Sequence, residues 1–168
     1  MKKFISFTGA VLLVIALTFI LIAIFTSSAQ SEDETFTVWV LCQPDDYINV
    51  REKPSRKGIV CGRYDPCEEV ITDGKIRNGY LHLVGMGLEA TDTWIHKGYI
   101  SYDEPKVLGG QSALVTCNGR LAARKYIGGK VRKWLKNGDR VRVYYITDEW
   151  AVTNRGFVKS QYIELEGY

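Results

Sequence analysis

Laid against itself with a shift of about 70 residues, the chain brings similar residues into register at six successive points, the mark of an internal repeat. Trp39-Val40-Leu41-Cys42 falls on Leu114-Val115-Thr116-Cys117, and Ile48-Asn49-Val50-Arg51 on Leu121-Ala122-Ala123-Arg124. Gly58-Ile59-Val60 falls on Gly129-Lys130-Val131, Cys67-Glu68-Glu69-Val70 on Gly138-Asp139-Arg140-Val141, and Asn78-Gly79-Tyr80 on Asp148-Glu149-Trp150. Lys97-Gly98-Tyr99-Ile100 and Arg155-Gly156-Phe157-Val158 form the closing match. On this register the first copy spans 18 positions from Tyr80 to Gly98 and the second spans 6 from Trp150 to Gly156, an insert of 12 in copy one.

Each copy is a series of four- to seven-residue segments of alternating polarity separated by turn residues, as in Arg140-Val141-Arg142-Val143-Tyr144 after Asn137-Gly138. No long helical stripe follows residue 31. The expected class is all-β, with two small barrels in tandem over residues 36–103 and 112–165. Residues 104–111, with Pro105 and Gly109-Gly110, read as a linker between them.

Residues 1–31 have the layout of an export signal: Lys2 and Lys3, an uncharged apolar run over residues 10–25, then small polar residues. The run of 16 residues suits either a cleaved signal peptide, with Ser27 and Ala29 at the cut, or a retained hydrophobic helix acting as anchor. In either case the lysines on one flank and Glu32, Asp33 and Glu34 on the other place the rest of the chain outside the cell. The product is thus secreted, or anchored in the plasma membrane with its C-terminal part outside. Four cysteines in an exported chain permit disulfides, and Cys61 with Cys67 is the nearest pair.

The run Ile48-Asn49-Val50-Arg51, Pro54-Ser55, Gly58-Ile59-Val60, a Glu-Glu-Val strand, Asn78-Gly79-Tyr80 and Gly98-Tyr99-Ile100 resembles the bacterial SH3-type domain, SH3b. Copy two resembles it through Leu121-Ala122-Ala123-Arg124, Leu135-Lys136-Asn137-Gly138-Asp139, Glu149-Trp150 and Gly156-Phe157-Val158, with Ala122-Ala123 where the family usually has Asn-Val. The resemblance implies SH3-like barrels that act as accessory binding modules for the cell wall or for another protein.

Catalytic chemistry is sparsely supplied. His82 and His96 are the only histidines, and His82 alternates with Leu81 and Leu83 as a solvent-side strand residue would; His96 is read the same way. Cys61 and Cys67 have no second ligand pair at zinc-site spacing. No enzyme activity, metal or cofactor is expected.

Charge divides by copy. Residues 36–103 hold 8 basic and 10 acidic residues, whereas residues 112–165 hold 11 basic and 4 acidic. Lys130, Arg132, Lys133, Arg140 and Arg142 alternate with apolar residues and are expected to share a face that attracts polyanions. The candidate stacking aromatics are Tyr47, Tyr80 and Trp94 in copy one and Tyr126, Trp134 and Trp150 in copy two, with Tyr99, Phe157 and Tyr162 assigned to the core. The expected function is non-catalytic recognition of peptidoglycan or an attached anionic polymer such as teichoic acid. The alternative is a membrane-tethered module binding an envelope protein within a larger surface complex. No nucleic-acid partner is expected.

Overall fold

The structure is a computed structural model that describes residues 34–85 and 92–167. The predicted signal or anchor over residues 1–31 lies outside the described residues. Within them there is no α-helix, and no helix is long and apolar enough to cross a membrane.

Copy one forms strands β1 (Phe36–Val40), β2 (Ile48–Arg51), β3 (Val60–Tyr64), β4 (Glu69–Arg77), β5 (Tyr80–Leu83), β6 (Thr93–His96) and β7 (Ile100–Ser101), with a 3-10 turn at Lys97–Tyr99. Copy two forms β8 (Lys106–Val115), β9 (Arg120–Arg124), β10 (Val131–Lys136), β11 (Arg140–Ile146), β12 (Trp150–Thr153), β13 (Gly156–Lys159) and β14 (Ile163–Leu165), with a 3-10 turn at Ser160–Tyr162. The antiparallel sheets run β3-β2-β6-β5-β4-β1-β7 and β10-β9-β13-β12-β11-β8-β14. Adding seven to each strand number of the first order gives the second, so the repeat is one of topology as well as sequence.

Local chemistry accounts for the elements. In β11 Val141 and Val143 are buried while Arg140 and Arg142 are exposed, the two-residue alternation of a strand with one dry face. Asn78-Gly79 joins β4 to β5 with both residues at positive φ (50° and 81°), the geometry a tight hairpin needs and asparagine and glycine tolerate. Each sheet encloses its own core. Val38, Val50, Leu81 and Ile95 are completely or almost completely buried in the first; Ala113, Ala123, Val143 and Val158 play that part in the second.

Backbone pairing fixes the true register between the copies. Leu41 N–H donates to Tyr99 O and Thr116 N–H to Tyr162 O, which equates Leu41 with Thr116 and Tyr99 with Tyr162. Tyr80 pairs with His96 and Trp150 with Lys159, which equates His96 with Lys159. The first five sequence matches agree with this pairing, and the closing one is corrected by it: Gly98-Tyr99-Ile100 corresponds to Gln161-Tyr162-Ile163. Thr93 is then the counterpart of Gly156, so the insert lies between β5 and β6 and amounts to 7 residues rather than 12.

The expected linker is corrected as well. Residues 106–111 belong to β8, where Lys106 and Val107 pair with Ile146 and Tyr145 of β11. Between Val107 and Gln111 the register slips, and Gly109 and Gly110 sit there with φ of 61° and 91°. The glycines make a β-bulge instead of a flexible joint. All four cysteines are free thiols, so Cys61 and Cys67 are not bridged.

Thr35–Tyr168 is one compact unit. The copies are joined by an apolar cluster in which Leu41 of copy one is buried with Trp150, Val152 and Phe157 of copy two. Two hydrogen bonds accompany it, Ile127 N–H to Gly98 O (2.8 Å) and Gln43 Nε2 to Thr153 O (3.2 Å). Thr116, at the position equivalent to Leu41, is exposed.

Candidate functional site

The corrected register brings one groove into view twice. In copy one it is lined by Ile48, Asn49, Arg51, Tyr80, His96 and Tyr99, and in copy two by their counterparts Leu121, Ala122, Arg124, Trp150, Lys159 and Tyr162. The second strand of each copy forms one wall, the start of the fifth and end of the sixth form the floor, and the tyrosine of the 3-10 turn closes one end. The volumes are about 380 Å³ in groove one and about 470 Å³ in groove two. A cavity of about 570 Å³ lies beside Tyr126, lined by Ile76, Tyr102, Ile127 and Glu149 among others.

The same side-chain device shapes both grooves. Arg51 Nη1 donates to Gly58 O (2.7 Å) and Arg124 Nη1 to Gly129 O (2.8 Å), so each arginine pins the loop that follows its own strand. At the floor, the His96 ring meets the edge of Tyr80 at 5.3 Å, while the Lys159 ammonium lies 4.3 Å from the centre of the Trp150 ring. Lys159 is also ion-paired with Glu149. The ammonium above the indole is a cation–π contact.

The remaining lining residues differ. Groove one adds Asp46, Tyr47 and Arg56 from its own copy and Lys125 and Tyr126 from the other; groove two adds Arg120, Gly128 and Trp134. Tyr47 is 47% exposed with the Arg63 guanidinium 5.3 Å from its ring, and Trp134 is 53% exposed. His96 accepts a hydrogen bond from Gly98 N–H at Nδ1 (3.1 Å). Burial first, then the positive charges of Arg56 and Lys97, holds its pKa below the usual 6.5, so it is neutral at pH 7. Burial raises the Tyr99 phenol, with Asp46 adding to the effect.

Of the sequence-predicted aromatics, Tyr47, Tyr80 and Tyr126 therefore meet in groove one, and Trp134 and Trp150 in groove two. Trp94 is placed elsewhere: it is 7% exposed, packs against His82 at 4.9 Å between ring centres, and lines neither groove. Among the basic residues, Lys130, Arg132 and Lys133 are exposed on or beside β10, yet none lines a groove. Arg140 and Arg142 lie on β11, which β9, β13 and β12 separate from β10 in the sheet order, and Arg140 is ion-paired with Glu166 at 3.2 Å. The two groups of basic residues therefore lie on or beside strands that are not neighbours in the sheet.

Neither histidine is the solvent-side strand residue expected from the sequence. His96 lines groove one, and His82 is half-buried with Nδ1 2.9 Å from Asp73 Oδ2 and Nε2 3.4 Å from Asp92 Oδ1. Burial works against ionisation of Asp73, but hydrogen bonds from Lys75 and His82 overcome it and bring its pKa down to about 2. The Cys42 thiol is pushed up to about 12, mainly by burial and then by Asp46 and Asp65, so it stays protonated and is a poor nucleophile at neutral pH.

Sequence reasoning missed Asn49, Arg51, Arg56, His96, Lys125, Arg120, Arg124 and Lys159 as groove residues. The repeat carried a signal for one pair, since Arg51 and Arg124 stand in register in it.

No family model and no curated protein matches the chain. Among solved structures it is similar to NlpC1 of Trichomonas vaginalis, at 12% identity and a TM-score of 0.36 over 83% of this chain and 49% of that one. It is similar also to NlpC2 of the same organism, at 10% identity and a TM-score of 0.35 over 81% of this chain and 50% of that one. The chain spans about half the length of these two proteins.

Proposed function

We propose that the chain is a non-catalytic binding module of the bacterial cell envelope, made of two SH3-type barrels, that holds peptidoglycan or an attached anionic polymer in its paired grooves. The observation that carries this reading is the recurrence of one groove at equivalent positions, each time with an aromatic floor, an arginine wall and further cations. Flat aromatic faces offer a surface for sugar rings, and cations attract the phosphates or carboxylates of an envelope polymer. Two sites in one compact unit hold a repeating ligand together by raising the effective concentration at the second site. The chain is exported in this reading, and either released or retained by its N-terminal segment.

Purified bacterial walls, with and without teichoic acid, test it in a pelleting assay with the full chain. Trp134→Ala combined with Arg120→Ala is expected to weaken pelleting about ten-fold, as removal of an exposed aromatic and cation anchor does. Neutralising Lys130, Arg132 and Lys133 together is expected to weaken it less and mainly at low salt. No pelleting at any salt concentration would sink the proposal.

The alternative, a membrane-tethered module serving a larger surface complex, draws support from exposed Phe36, Ile71 and Ile76 on the first sheet and Tyr102 just after it, where Phe36 and Tyr102 stack at 6.0 Å. Cross-linking in intact cells that recovers a protein rather than glycan would select it.

A further inference from the structure

Groove one is not made by copy one alone. Its outer wall is Lys125 and Tyr126, which belong to the loop after β9 of copy two. That loop is fixed in place. Ile127 N–H donates to Gly98 O, and the Tyr126 ring lies so close to Gly98 that a Cβ there would stand 2.4 Å from Tyr126 Cδ2. Tyr126 also meets His96 at 4.9 Å and Tyr99 at 5.5 Å between ring centres. A glycine at 98 is therefore what admits the second copy's tyrosine. The counterpart of Gly98 in copy two is Gln161, and groove two is lined by residues of copy two only.

The charge of this composite groove has a sign. Arg51, Arg56 and Lys125 stand against Asp46 as the one carboxylate of the lining, and Asp46 Oδ1 already accepts from Tyr47 N–H at 2.9 Å. His96 adds no positive charge at neutral pH, and Arg51 is partly committed to Gly58. Arg56 and Lys125, exposed and from different copies, are left as the cations that a ligand can engage. Around them stand the rings of Tyr47, Tyr80, Tyr99 and Tyr126. A volume of about 380 Å³ is near the small end of ligand sites, which run from about 300 to 1,000 Å³.

We infer that groove one is a two-copy site for a short anionic sugar unit, a ring stacked among the tyrosines with its carboxylate or phosphate held between Arg56 of copy one and Lys125 of copy two. This deepens the envelope-polymer reading and rests on it for the choice of a sugar. Because the ligand touches both copies, its binding also draws them together, whereas a ligand in groove two engages copy two alone.

Calorimetric titration of the full chain with glucuronic acid, glucose 6-phosphate and glucose tests the inference. At least one of the two anions is expected to bind about ten-fold more tightly than glucose, the discrimination a charged hydrogen bond gives. The two anionic arms separate a carboxylate ligand from a phosphate ligand. Arg56→Ala and Lys125→Ala are each expected to weaken that anion about ten-fold, and Lys106→Ala, an equal loss of charge outside both grooves, to leave it unchanged. The inference is overturned if neither anion binds, if glucose binds as well as both, if Lys125→Ala has no effect, or if Lys106→Ala does equal damage. Chains that pellet with walls but bind none of these sugars would remove the composite site and leave the wall-binding proposal standing. Anion binding that depends on Lys125, in a chain that ignores walls, would do the reverse.

Discussion

His96 carries a pH dependence that its surroundings dictate. Its pKa when folded lies below the 6.5 of an exposed imidazole, because burial and the nearby Arg56 and Lys97 disfavour the cation. The unfolded chain therefore binds more protons than the folded one as pH falls through 6.5, and stability is lost in that direction. The stability in question is fully present above 6.5 and declines as pH drops toward the depressed folded value. Thermal unfolding measured between pH 7.5 and 5 is expected to show a fall in Tm that His96→Gln reduces; an equal fall in both proteins would show that other groups are responsible. Asp73 behaves in the same sense at lower pH. With its pKa brought down to about 2, its contribution is present above the ordinary carboxylate range and is lost only as pH falls from about 4 toward 2.

At the scale of the element, the turn between the third and fourth strands of each copy provides an internal comparison. Cys67 N–H donates to Val40 O and Gly138 N–H to Val115 O, so the two residues occupy one position in the repeat. Both have positive φ, 65° for Cys67 and 80° for Gly138. Holding a side chain in the left-handed region costs about 1–2 kcal/mol, against about 0.5–1 kcal/mol for the extra chain entropy of glycine. Cys67→Gly is expected to leave stability unchanged or to raise it by up to about 1 kcal/mol, and Gly138→Cys to lower it by a similar amount, both read by denaturant titration. A large loss from Cys67→Gly would mean that its half-buried thiol outweighs the backbone term.

Such turns are also why the strands were legible in the sequence. Asn-Gly pairs, two-residue alternation and matched Arg51 and Arg124 are local signals, and each led to the element found. Legibility failed where two local patterns look alike but serve different elements. Gly98-Tyr99-Ile100 and Gly156-Phe157-Val158 share a glycine-aromatic-aliphatic order, yet the first leaves a 3-10 turn and the second is strand β13. The linker expectation failed for a related reason, since a glycine pair marks a bulge within a paired strand as readily as a joint. Groove residues were harder still. Arg56 and His96 are far apart along copy one, and Lys125 joins them only because copy two docks on copy one, which no spacing within either copy expresses.

For the whole molecule, the docking of the copies decides whether it unfolds as one body. Each core is small, and Leu41 buried among Trp150, Val152 and Phe157 joins them. Leu41→Asp would bury an unpaired carboxylate there, which costs several kcal/mol unless the contact opens. The expected result is that one thermal transition becomes two, one for each copy. A single transition that merely shifts to lower temperature would mean that each copy depends on the other for folding. Groove one reports on the same event, since undocking removes Lys125 and Tyr126 from its wall.

The contact between the copies is head-to-tail: copy one presents Leu41, and copy two receives it on Trp150, Val152 and Phe157. Units that carry both a plug and a socket of this kind add to one another without limit, as open filaments do. Here neither unit carries both. The plug position of copy two is the exposed Thr116, and the socket of copy one has His82, tied to Asp73, where copy two has Val152. A threonine at one end and a histidine hydrogen-bonded to Asp73 at the other thus replace the apolar side chains of this contact, and neither outer position repeats it.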